Sequence, residues 1–262
     1  MAMMAMTIRR IQQKKLDGER IAVLTAYDFP TARIFDEAGV DLLLVGDSLA
    51  NVVQGRPTTL SVTLDQMIYH AEIVARAASR AVVIVDLPFP HGHLSPFETV
   101  AAAARILRES GAQGVKLEGG ESVVETITAL VRAGIPVLAH CGMLPQSIHQ
   151  MGGFRVQRDR ERLLADVRAV EAAGAFAVVL ECIPVELAVE ATQMLKIPTI
   201  GIGAGSGCNG QVLVAHDMLG FTADERPVPK HAKRYTSLRD EIMHAAKTYV
   251  QEVRDGIFPA AE

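Results

Sequence analysis

The feature that most constrains the fold of this chain is a repeated alternation of short apolar runs with longer segments of helical spacing. Seven clear runs and a weaker eighth occur at residues 21–26, 42–46, 82–87, 114–118, 136–140, 177–181, 199–202 and 211–214. Near-continuous apolar runs of this length are typical of parallel strands that are covered on both faces. Because about eight such strands alternate with helices, the pattern predicts an α/β fold, a closed (βα)8 barrel of the TIM type.

The segments between the runs carry the predicted helices. Apolar positions three and four apart, as on one face of an amphipathic helix, occur in residues 97–110, 122–133 and 159–173. A glycine stands where four of the helices should end: Gly39, Gly111, Gly134 and Gly174. Glycine is common at helix ends because it adopts the left-handed conformation at no steric cost. This punctuation supports a βα repeat.

The chain is predicted to be a single domain of 262 residues, a normal length for an α/β barrel. The barrel is expected over about residues 20–225 and a helical extension over about residues 226–262. Residues 7–17 are predicted to form a helix that plugs the bottom of the barrel, and residues 237–253 a C-terminal helix.

Composition and charge exclude several classes of function. The formal net charge is −4 and no long basic run is present, so the chain lacks the electrostatic footprint of a nucleic-acid-binding protein. No apolar stretch approaches the roughly 20 residues that cross a membrane. The apolar start precedes its basic residues, the reverse of a signal peptide. With three widely spaced cysteines and no C-x-x-C, we expect a reduced, cytoplasmic protein.

Six successive runs end in polar or ionisable residues. These residues are Tyr27 and Asp28, Asp47 and Ser48, Asp86, Lys116 with Glu118, His140, and Glu181. The active sites of such barrels lie where the strands end, at the C-terminal face. Because burying converging charges is costly, their recurrence at this face predicts a catalytic site rather than a structural one.

Three carboxylates on consecutive strands, those of Asp47, Asp86 and Glu118, predict a metal site. They would repel one another unless a cation lay between them, and oxygen ligands without a Cys/His cluster favour Mg²⁺, with Mn²⁺ as the alternative. Individual members could instead cap helices or pair with Lys116. Lys116 lies on the same face of its strand as Glu118, so it could bind a substrate oxyanion or form an ion pair with a metal ligand.

The last two strand-end residues, His140 and Glu181, are candidates for substrate binding and for proton transfer. Glu181 ends an apolar strand and is the candidate general base. Glu186 competes with it, but we expect Glu186 to open the next helix, where an acid favours the helix dipole. The glycines Gly205, Gly207 and Gly210 match a dinucleotide fingerprint, yet they follow a late strand, so a barrel loop is the favoured interpretation.

Eight short motifs, in order over about residues 21–259, resemble those of the ketopantoate hydroxymethyltransferase family. They are Leu-Thr-Ala-Tyr-Asp (24–28), Val-Gly-Asp-Ser-Leu (45–49), Met-Ile-Tyr-His (67–70), Asp-Leu-Pro-Phe (86–89), Val-Lys-Leu-Glu-Gly-Gly (115–120), Pro-Gln-Ser (145–147), Leu-Glu-Cys-Ile-Pro (180–184) and Gly-Ile-Gly-Ala-Gly (201–205). The resemblance implies a phosphoenolpyruvate/pyruvate-type barrel that transfers a hydroxymethyl group to C3 of 3-methyl-2-oxobutanoate through an enolate.

The resemblance also implies the roles of the site residues. It places one Mg²⁺ per subunit on Asp47, Asp86 and Glu118, and it makes Glu181 the base. It places the 2-oxo acid against Asp47, Ser48, Asp86, Lys116 and His140. It further implies 5,10-methylenetetrahydrofolate as the one-carbon donor and a homo-oligomer, often a decamer.

The chain departs from the family pattern at positions that we expect to flank the mouth of the barrel. These are the segment after His140, Arg158, Asn209 and residues 90–93. A paralogue that uses a different 2-oxo acid is therefore one alternative, and a Mg²⁺-dependent 2-oxo acid lyase or mutase is another. A non-catalytic binding protein is a third alternative. Such a protein usually loses its metal-ligating residues, whereas this chain keeps all three carboxylates and Glu181. The basic residues 230–234 could attract a folate polyglutamate tail or form a solvated surface.

Overall fold

The computed structural model describes residues 5–153, 155–222 and 229–260. The described residues form eight parallel strands that close a barrel in chain order, so the predicted (βα)8 fold is confirmed. The strands are β1 (Ile21–Thr25), β2 (Leu42–Val45), β3 (Val82–Asp86), β4 (Gly114–Glu118), β5 (Val137–Gly142), β6 (Ala177–Glu181), β7 (Thr199–Ile202) and β8 (Gly210–Leu213). Each lies within two residues of its predicted bounds.

Helices lie before, between and after the strands along the chain. They are α1 (Ile8–Leu16), α2 (Phe29–Glu37), α3 (Leu49–Val52), α4 (Leu64–Ala77), α5 (Pro96–Ser110), α6 (Val124–Arg132), α7 (Ile148–Met151), α8 (Arg160–Ala172), α9 (Val185–Met194), α10 (Ala215–Leu219) and α11 (Leu238–Arg254). The glycines Gly39, Gly111, Gly134 and Gly174, which were predicted to end helices, have φ angles from +78° to +100°.

Helix α1 plugs the bottom of the barrel, as the sequence predicts. Ile11 is fully buried in an apolar cluster that includes the first residues of β1, β2 and β3, namely Ile21, Leu42 and Val82. Lys15 Nζ donates hydrogen bonds to three carbonyl oxygens in and after α9, those of Thr192, Leu195 and Ile197. Helix α1 is therefore held in two ways: by the burial of apolar side chains such as Ile11, and by the charge-assisted hydrogen bonds of Lys15 to the carbonyl oxygens in and after α9.

By its internal contacts the chain forms two compact units, one that ends at Leu213 and one that begins at Val214. The whole barrel lies in the first unit, and α10 and α11 lie in the second. The predicted boundary near residue 225 falls outside the described residues, and the single domain stays a prediction. The cysteines Cys141, Cys182 and Cys208 are free. No helix in the described part of the chain is both long and apolar enough to span a membrane.

Candidate active site

The register of the barrel strands brings the predicted site residues to one mouth. Asp86 pairs with Lys116 across β3 and β4, and Glu118 pairs with His140 across β4 and β5. Glu181 pairs with the last residue of β5. Because parallel strands end on the same side, these side chains converge at the C-terminal face. The convergence predicted from the strand ends is observed.

The centre of this mouth is a cluster of buried charges. Lys116 Nζ lies 2.8 Å from Asp86 Oδ1, and both side chains are buried. The backbone N–H of Asp47 donates to Asp86 Oδ2 at 3.0 Å. Glu118, also buried, follows Lys116 by two residues on β4. Lys116 thus forms an ion pair with a predicted metal ligand, which was one of its two predicted roles. The cluster contains three carboxylates and one ammonium.

The pKa values of the cluster reflect this imbalance of charge. Burial, and then repulsion from Asp86, raises the pKa of Asp47 to about 6. Burial raises the pKa of Glu118 well above its usual range, although Lys116 opposes the shift. Burial alone would lower the pKa of Lys116, but the neighbouring carboxylates, with Asp86 first, outweigh it and raise this pKa. One ammonium therefore faces more negative charge than it can balance.

Gln146 completes the cluster, and the strand-end argument did not find it. Its side-chain Nε2 donates to Asp47 Oδ2 at 3.0 Å and to the Leu87 carbonyl oxygen at 2.9 Å, and its backbone N–H donates to Glu118 Oε2 at 3.0 Å. The residue lies in a short turn after β5 rather than at a strand end. The motif Pro-Gln-Ser was the one signal in the sequence that pointed to it.

His140 connects the carboxylate cluster to Glu181. Its Nε2 lies 3.3 Å from Glu181 Oε2, and its Nδ1 lies 3.8 Å from Glu118 Oε1. Burial, and then the charge of Lys116, lowers the pKa of His140, so its imidazole is neutral near pH 7. The Glu181 side chain is 14% exposed, whereas those of His140 and Glu118 are 2% exposed. Glu181 is thus the carboxylate of this group that is most accessible from the mouth.

Of the remaining predicted residues, Ser48 directly follows Asp47, and two acids lie at the starts of helices. Tyr27 Oη and Ser48 Oγ are 2.8 Å apart, and burial raises the pKa of the Tyr27 phenol. Asp28 accepts a hydrogen bond from the backbone N–H of Thr31 and caps α2. Glu186 lies exposed in the first turn of α9, where it was expected to open the helix.

The donor set at the mouth fits Mg²⁺ chemically. Its side-chain ligands are hard carboxylate oxygens, and Glu118 Oε1 is buried with no hydrogen-bond partner among the described residues. No three His, Cys, Asp or Glu side chains in the described ranges are already arranged as a closed metal-binding group. Mg²⁺ commonly binds through one or two carboxylates and completes its shell with water and substrate oxygens, so it does not need such a group.

One residue that was expected to flank the mouth lies at the opposite end of the barrel. Asn209 immediately precedes β8, and its Oδ1 accepts a hydrogen bond from the backbone N–H of Thr199, the first residue of β7. The prediction for Asn209 is wrong, because no helix lies between β7 and β8 and the loop itself returns to the bottom. Arg158 lies in the loop after β5, on the side of the mouth, and residues 90–93 lie in the loop between β3 and α5.

The glycines of the apparent dinucleotide fingerprint serve packing in that loop, as the favoured interpretation expected. A Cβ atom on Gly205 would lie 2.8 Å from the Val185 side chain, and one on Gly207 would lie 2.4 Å from the Val189 side chain. Gly210 begins β8 rather than a helix, so no helix N-terminus is available there for a pyrophosphate. The glycines let the loop approach α9.

Comparison with known proteins identifies close relatives over the whole chain. A model of the family "Ketopantoate hydroxymethyltransferase" matches residues 5–261. The 3-methyl-2-oxobutanoate hydroxymethyltransferase of Rhodopirellula baltica is 56% identical over 254 residues, 97% of this chain and 94% of that protein. The protein of the same name from Geotalea daltonii is 50% identical over 259 residues, 97% of this chain and 96% of that protein.

Solved structures of lower sequence identity share the barrel. A 2,3-dimethylmalate lyase of the PEP mutase/isocitrate lyase superfamily superposes with a TM-score of 0.63 at 21% identity, covering 99% of this chain and 91% of that chain. A phosphonopyruvate hydrolase in complex with oxalate and Mg²⁺ gives a TM-score of 0.65 at 14% identity, covering 98% and 92%. These similarities concern the fold alone, a closed barrel of eight parallel strands. On the family match and the full-length relatives, the chain belongs to the ketopantoate hydroxymethyltransferase family of enzymes.

Proposed function

We propose that this protein transfers a hydroxymethyl group from 5,10-methylenetetrahydrofolate to C3 of 3-methyl-2-oxobutanoate. The product is 2-dehydropantoate (ketopantoate), which serves pantothenate and coenzyme A synthesis. The observation that carries the proposal is a partly exposed carboxylate, Glu181, beside a buried cluster of Asp47, Asp86, Lys116 and Glu118. The names of the full-length relatives support the same reaction.

One Mg²⁺ per subunit would be held by Asp47, Asp86 and Glu118. Two observations support this assignment: the excess of buried negative charge, and the buried Glu118 Oε1, which has no hydrogen-bond partner in the described part of the chain. When bound, Mg²⁺ supplies Lewis-acid chemistry: it attracts the oxygens of the 2-oxo acid and favours negative charge on its keto oxygen.

The other residues of the mouth would bind and orient the 2-oxo acid. Lys116 is a buried ammonium that keeps its charge, so it can attract the carboxylate or the developing oxyanion of the substrate. Ser48, with its hydroxyl held by Tyr27, can donate to a substrate oxygen. Buried His140 lies beside Glu181, with its Nε2 3.3 Å from Glu181 Oε2.

Glu181 would act as the general base. It removes the proton from C3, and the electron pair of that C–H bond moves into the C2–C3 bond and onto the keto oxygen, giving the enolate. The methylene carbon of the folate loses both of its bonds to nitrogen and gains two new ones: C3 of the enolate forms the C–C bond, and water supplies the hydroxyl group. The second proton of the water and the proton taken from C3 end on the two folate nitrogens, so tetrahydrofolate leaves. A positioned base contributes about 10²–10⁴-fold to such a step.

The experiment that tests this proposal is turnover against a panel of branched 2-oxo acids with 5,10-methylenetetrahydrofolate and Mg²⁺. We expect 3-methyl-2-oxobutanoate to give the highest kcat/KM and 2-dehydropantoate as product. A higher kcat/KM with another 2-oxo acid would assign the paralogous function. Cleavage of the C–C bond of 2-methylmalate without folate would show that the protein is a lyase. Binding of Mg²⁺ and 2-oxo acid without turnover would show that it is a non-catalytic protein.

We also propose that the protein is a cytoplasmic homo-oligomer, a decamer as the family resemblance implies. Helix α11 supports self-association, because none of its residues is buried and Ile242, Tyr249 and Val250 are among its exposed apolar side chains. Sedimentation analysis should give a mass of several subunits, and a monomer would contradict this proposal. The basic residues of the 230–234 segment are exposed, and their role toward a folate tail stays a prediction.

A further inference from the structure

Gln146 forms hydrogen bonds to two carboxylates of the cluster as well as one to the backbone of Leu87. Its side chain is buried, and the two hydrogens of its amide nitrogen match two acceptors, Asp47 Oδ2 at 3.0 Å and the Leu87 carbonyl oxygen at 2.9 Å. Its backbone N–H separately donates to Glu118 Oε2 at 3.0 Å. One residue therefore holds an oxygen of two proposed metal ligands that come from different strands.

These contacts fix which carboxylate oxygens can face a cation. The hydrogen bond to Glu118 Oε2 engages that oxygen, whereas the buried Oε1 has no hydrogen-bond partner among the described residues. The bond to Asp47 Oδ2 likewise fixes the rotation of that carboxylate. Residues that orient metal ligands in this way typically change metal affinity or activity about 10–100-fold when they are replaced.

The same loop also contacts the strand of the proposed base. The backbone N–H of Met143 donates to the Glu181 carbonyl oxygen at 2.9 Å, and that of Gln157 donates to the Cys182 carbonyl oxygen at 2.9 Å. Cys182 has a φ angle of +49°, a conformation that non-glycine residues rarely adopt and that functional sites often contain. The described residues of the loop after β5 thus link the carboxylate cluster to the backbone around Glu181.

We propose that Gln146 is a positioning residue that holds Asp47 and Glu118 in the orientation that binds Mg²⁺. The inference rests on the proposed function and assigns to this site a determinant of metal affinity. The alternative is a structural role, in which the Gln146 amide only holds the loop in place by its hydrogen bond to the Leu87 carbonyl oxygen. A structural role predicts loss of stability with or without Mg²⁺, whereas a positioning role predicts loss of the stabilisation that Mg²⁺ adds.

The test compares two variants of Gln146 with a control in the same loop. Gln146→Met has a side chain of similar length without a donor, and Gln146→Asn keeps an amide on a side chain one methylene shorter. Both keep the backbone N–H that donates to Glu118 Oε2 and change the side-chain donor to Asp47 Oδ2. Gln157→Ala is the control, because among the described residues its side chain hydrogen-bonds to the Arg155 carbonyl oxygen and not to the carboxylate cluster, and its backbone contact to Cys182 remains. The readouts are the Kd for Mg²⁺ alone by calorimetry, the rise in Tm on adding Mg²⁺, and exchange of the C3 proton of 3-methyl-2-oxobutanoate in D₂O.

We expect Gln146→Met and Gln146→Asn to raise the Mg²⁺ Kd about 10–100-fold and to lose much of the Mg²⁺-dependent rise in Tm. Raising the Mg²⁺ concentration should restore C3-proton exchange, and Gln157→Ala should stay within about twofold of the wild type. Gln146 variants that bind Mg²⁺ as tightly as the wild type would overturn the inference. If Gln146→Met does not fold, Gln146→Asn decides. A wild-type protein that neither binds Mg²⁺ nor exchanges the proton would instead contradict the proposed function.

Discussion

Buried carboxylates occur at both ends of this barrel, but their surroundings differ. At the bottom, Asp36 accepts hydrogen bonds from the backbone N–H groups of Ser79, Arg80 and Ala81 and from the Ser79 hydroxyl. Burial alone would raise the pKa of Asp36, but these donors, with Ala81 first, outweigh it and lower the pKa. At the mouth, burial and like charge raise the pKa of Asp47 and of Glu118 instead.

Asp41 shows the same full pairing at the bottom. Its carboxylate lies 2.9 Å from Lys14 Nζ and 3.2 Å from the Arg80 guanidinium, and it accepts the backbone N–H of Ala22. Two cations face one anion there, whereas at the mouth one ammonium faces three carboxylates. The bottom is therefore arranged to stabilise the fold, and the mouth holds uncompensated charge that a substrate complex can use.

The largest effect should come from Glu181, because it would perform the chemical step itself. We expect Glu181→Gln to reduce C3-proton exchange about 10²–10⁴-fold, since the amide cannot accept the proton. Its Mg²⁺ Kd should stay within about twofold, because Glu181 is not among the proposed ligands. Proton exchange in D₂O followed by NMR measures the first quantity and calorimetry the second. Exchange retained at the wild-type rate would assign the base to another residue.

The next largest effect should come from the bottom, at Asp36. Asp36→Ala leaves three backbone N–H groups without their acceptor, that of Ala81 buried and those of Ser79 and Arg80 partly buried. At about 1–3 kcal/mol for the buried group and about 1 kcal/mol for each of the other two, we expect a loss of about 3–5 kcal/mol of unfolding free energy. Urea unfolding measures it. A loss below about 1 kcal/mol would show that the paired carboxylate at the bottom of the barrel does not stabilise the fold, so the two ends of the barrel would not differ as described.

The difference in unfolding free energy between the wild type and Asp36→Ala should depend on pH with a defined sign. Because the folded-state pKa of Asp36 is lower than its ordinary value of 3.8, its ionised form stabilises the protein above that pH. The stabilisation should disappear as the pH falls through the lower folded-state pKa. Unfolding free energies of the wild type and of Asp36→Ala should therefore converge in acid, and a constant difference would contradict the pairing.

A smaller effect, opposite in sign, should come from the mouth. Glu118→Gln replaces a buried carboxyl group whose ionisation is opposed by burial, which raises its pKa, and the amide oxygen can still accept the Gln146 N–H. We expect the metal-free protein to gain about 1 kcal/mol, or about 2–4 °C in Tm, while Mg²⁺ affinity falls. Thermal unfolding with and without Mg²⁺ checks both. A clear loss of Tm in the metal-free protein would show that the mouth is charge-balanced like the bottom.

The smallest effect should come from Glu186, the acid that competes in sequence with Glu181. It is exposed in the first turn of α9, where an acid adds only a weak dipole interaction. Glu186→Gln should leave C3-proton exchange within about twofold and Tm within about 2 °C. It is thus a control for Glu181→Gln, and a matching loss of exchange would remove the distinction between the two acids.

The fold and most of the site could be predicted because both follow from where strands end. The positions of Asp86, Lys116, Glu118, His140 and Glu181 are fixed by strand periodicity and by the common direction of parallel strands. Gln146 could not be found in this way, because it lies in an irregular turn four residues beyond β5. Its contacts with Asp47 and Glu118 depend on how that turn folds back, which no periodicity encodes.

Asn209 shows the opposite failure, a residue placed at the mouth that lies at the bottom. The sequence indicated that β7 and β8 were neighbours, but not that the short segment between them returns to the bottom without a helix. The hydrogen bond from the Thr199 N–H to Asn209 Oδ1 fixes its position at the start of β7. Counting the residues between strands, in addition to marking their ends, would have placed Asn209 correctly.

Mg²⁺-dependent exchange of the C3 proton of 3-methyl-2-oxobutanoate in D₂O, without folate, tests most directly whether the mouth holds excess buried charge for a cation with a base, Glu181, beside it. We expect exchange by the wild-type protein with Mg²⁺ and its loss on chelation of the metal. Exchange that is absent in protein shown to bind both Mg²⁺ and the 2-oxo acid, or that persists after chelation, would contradict it.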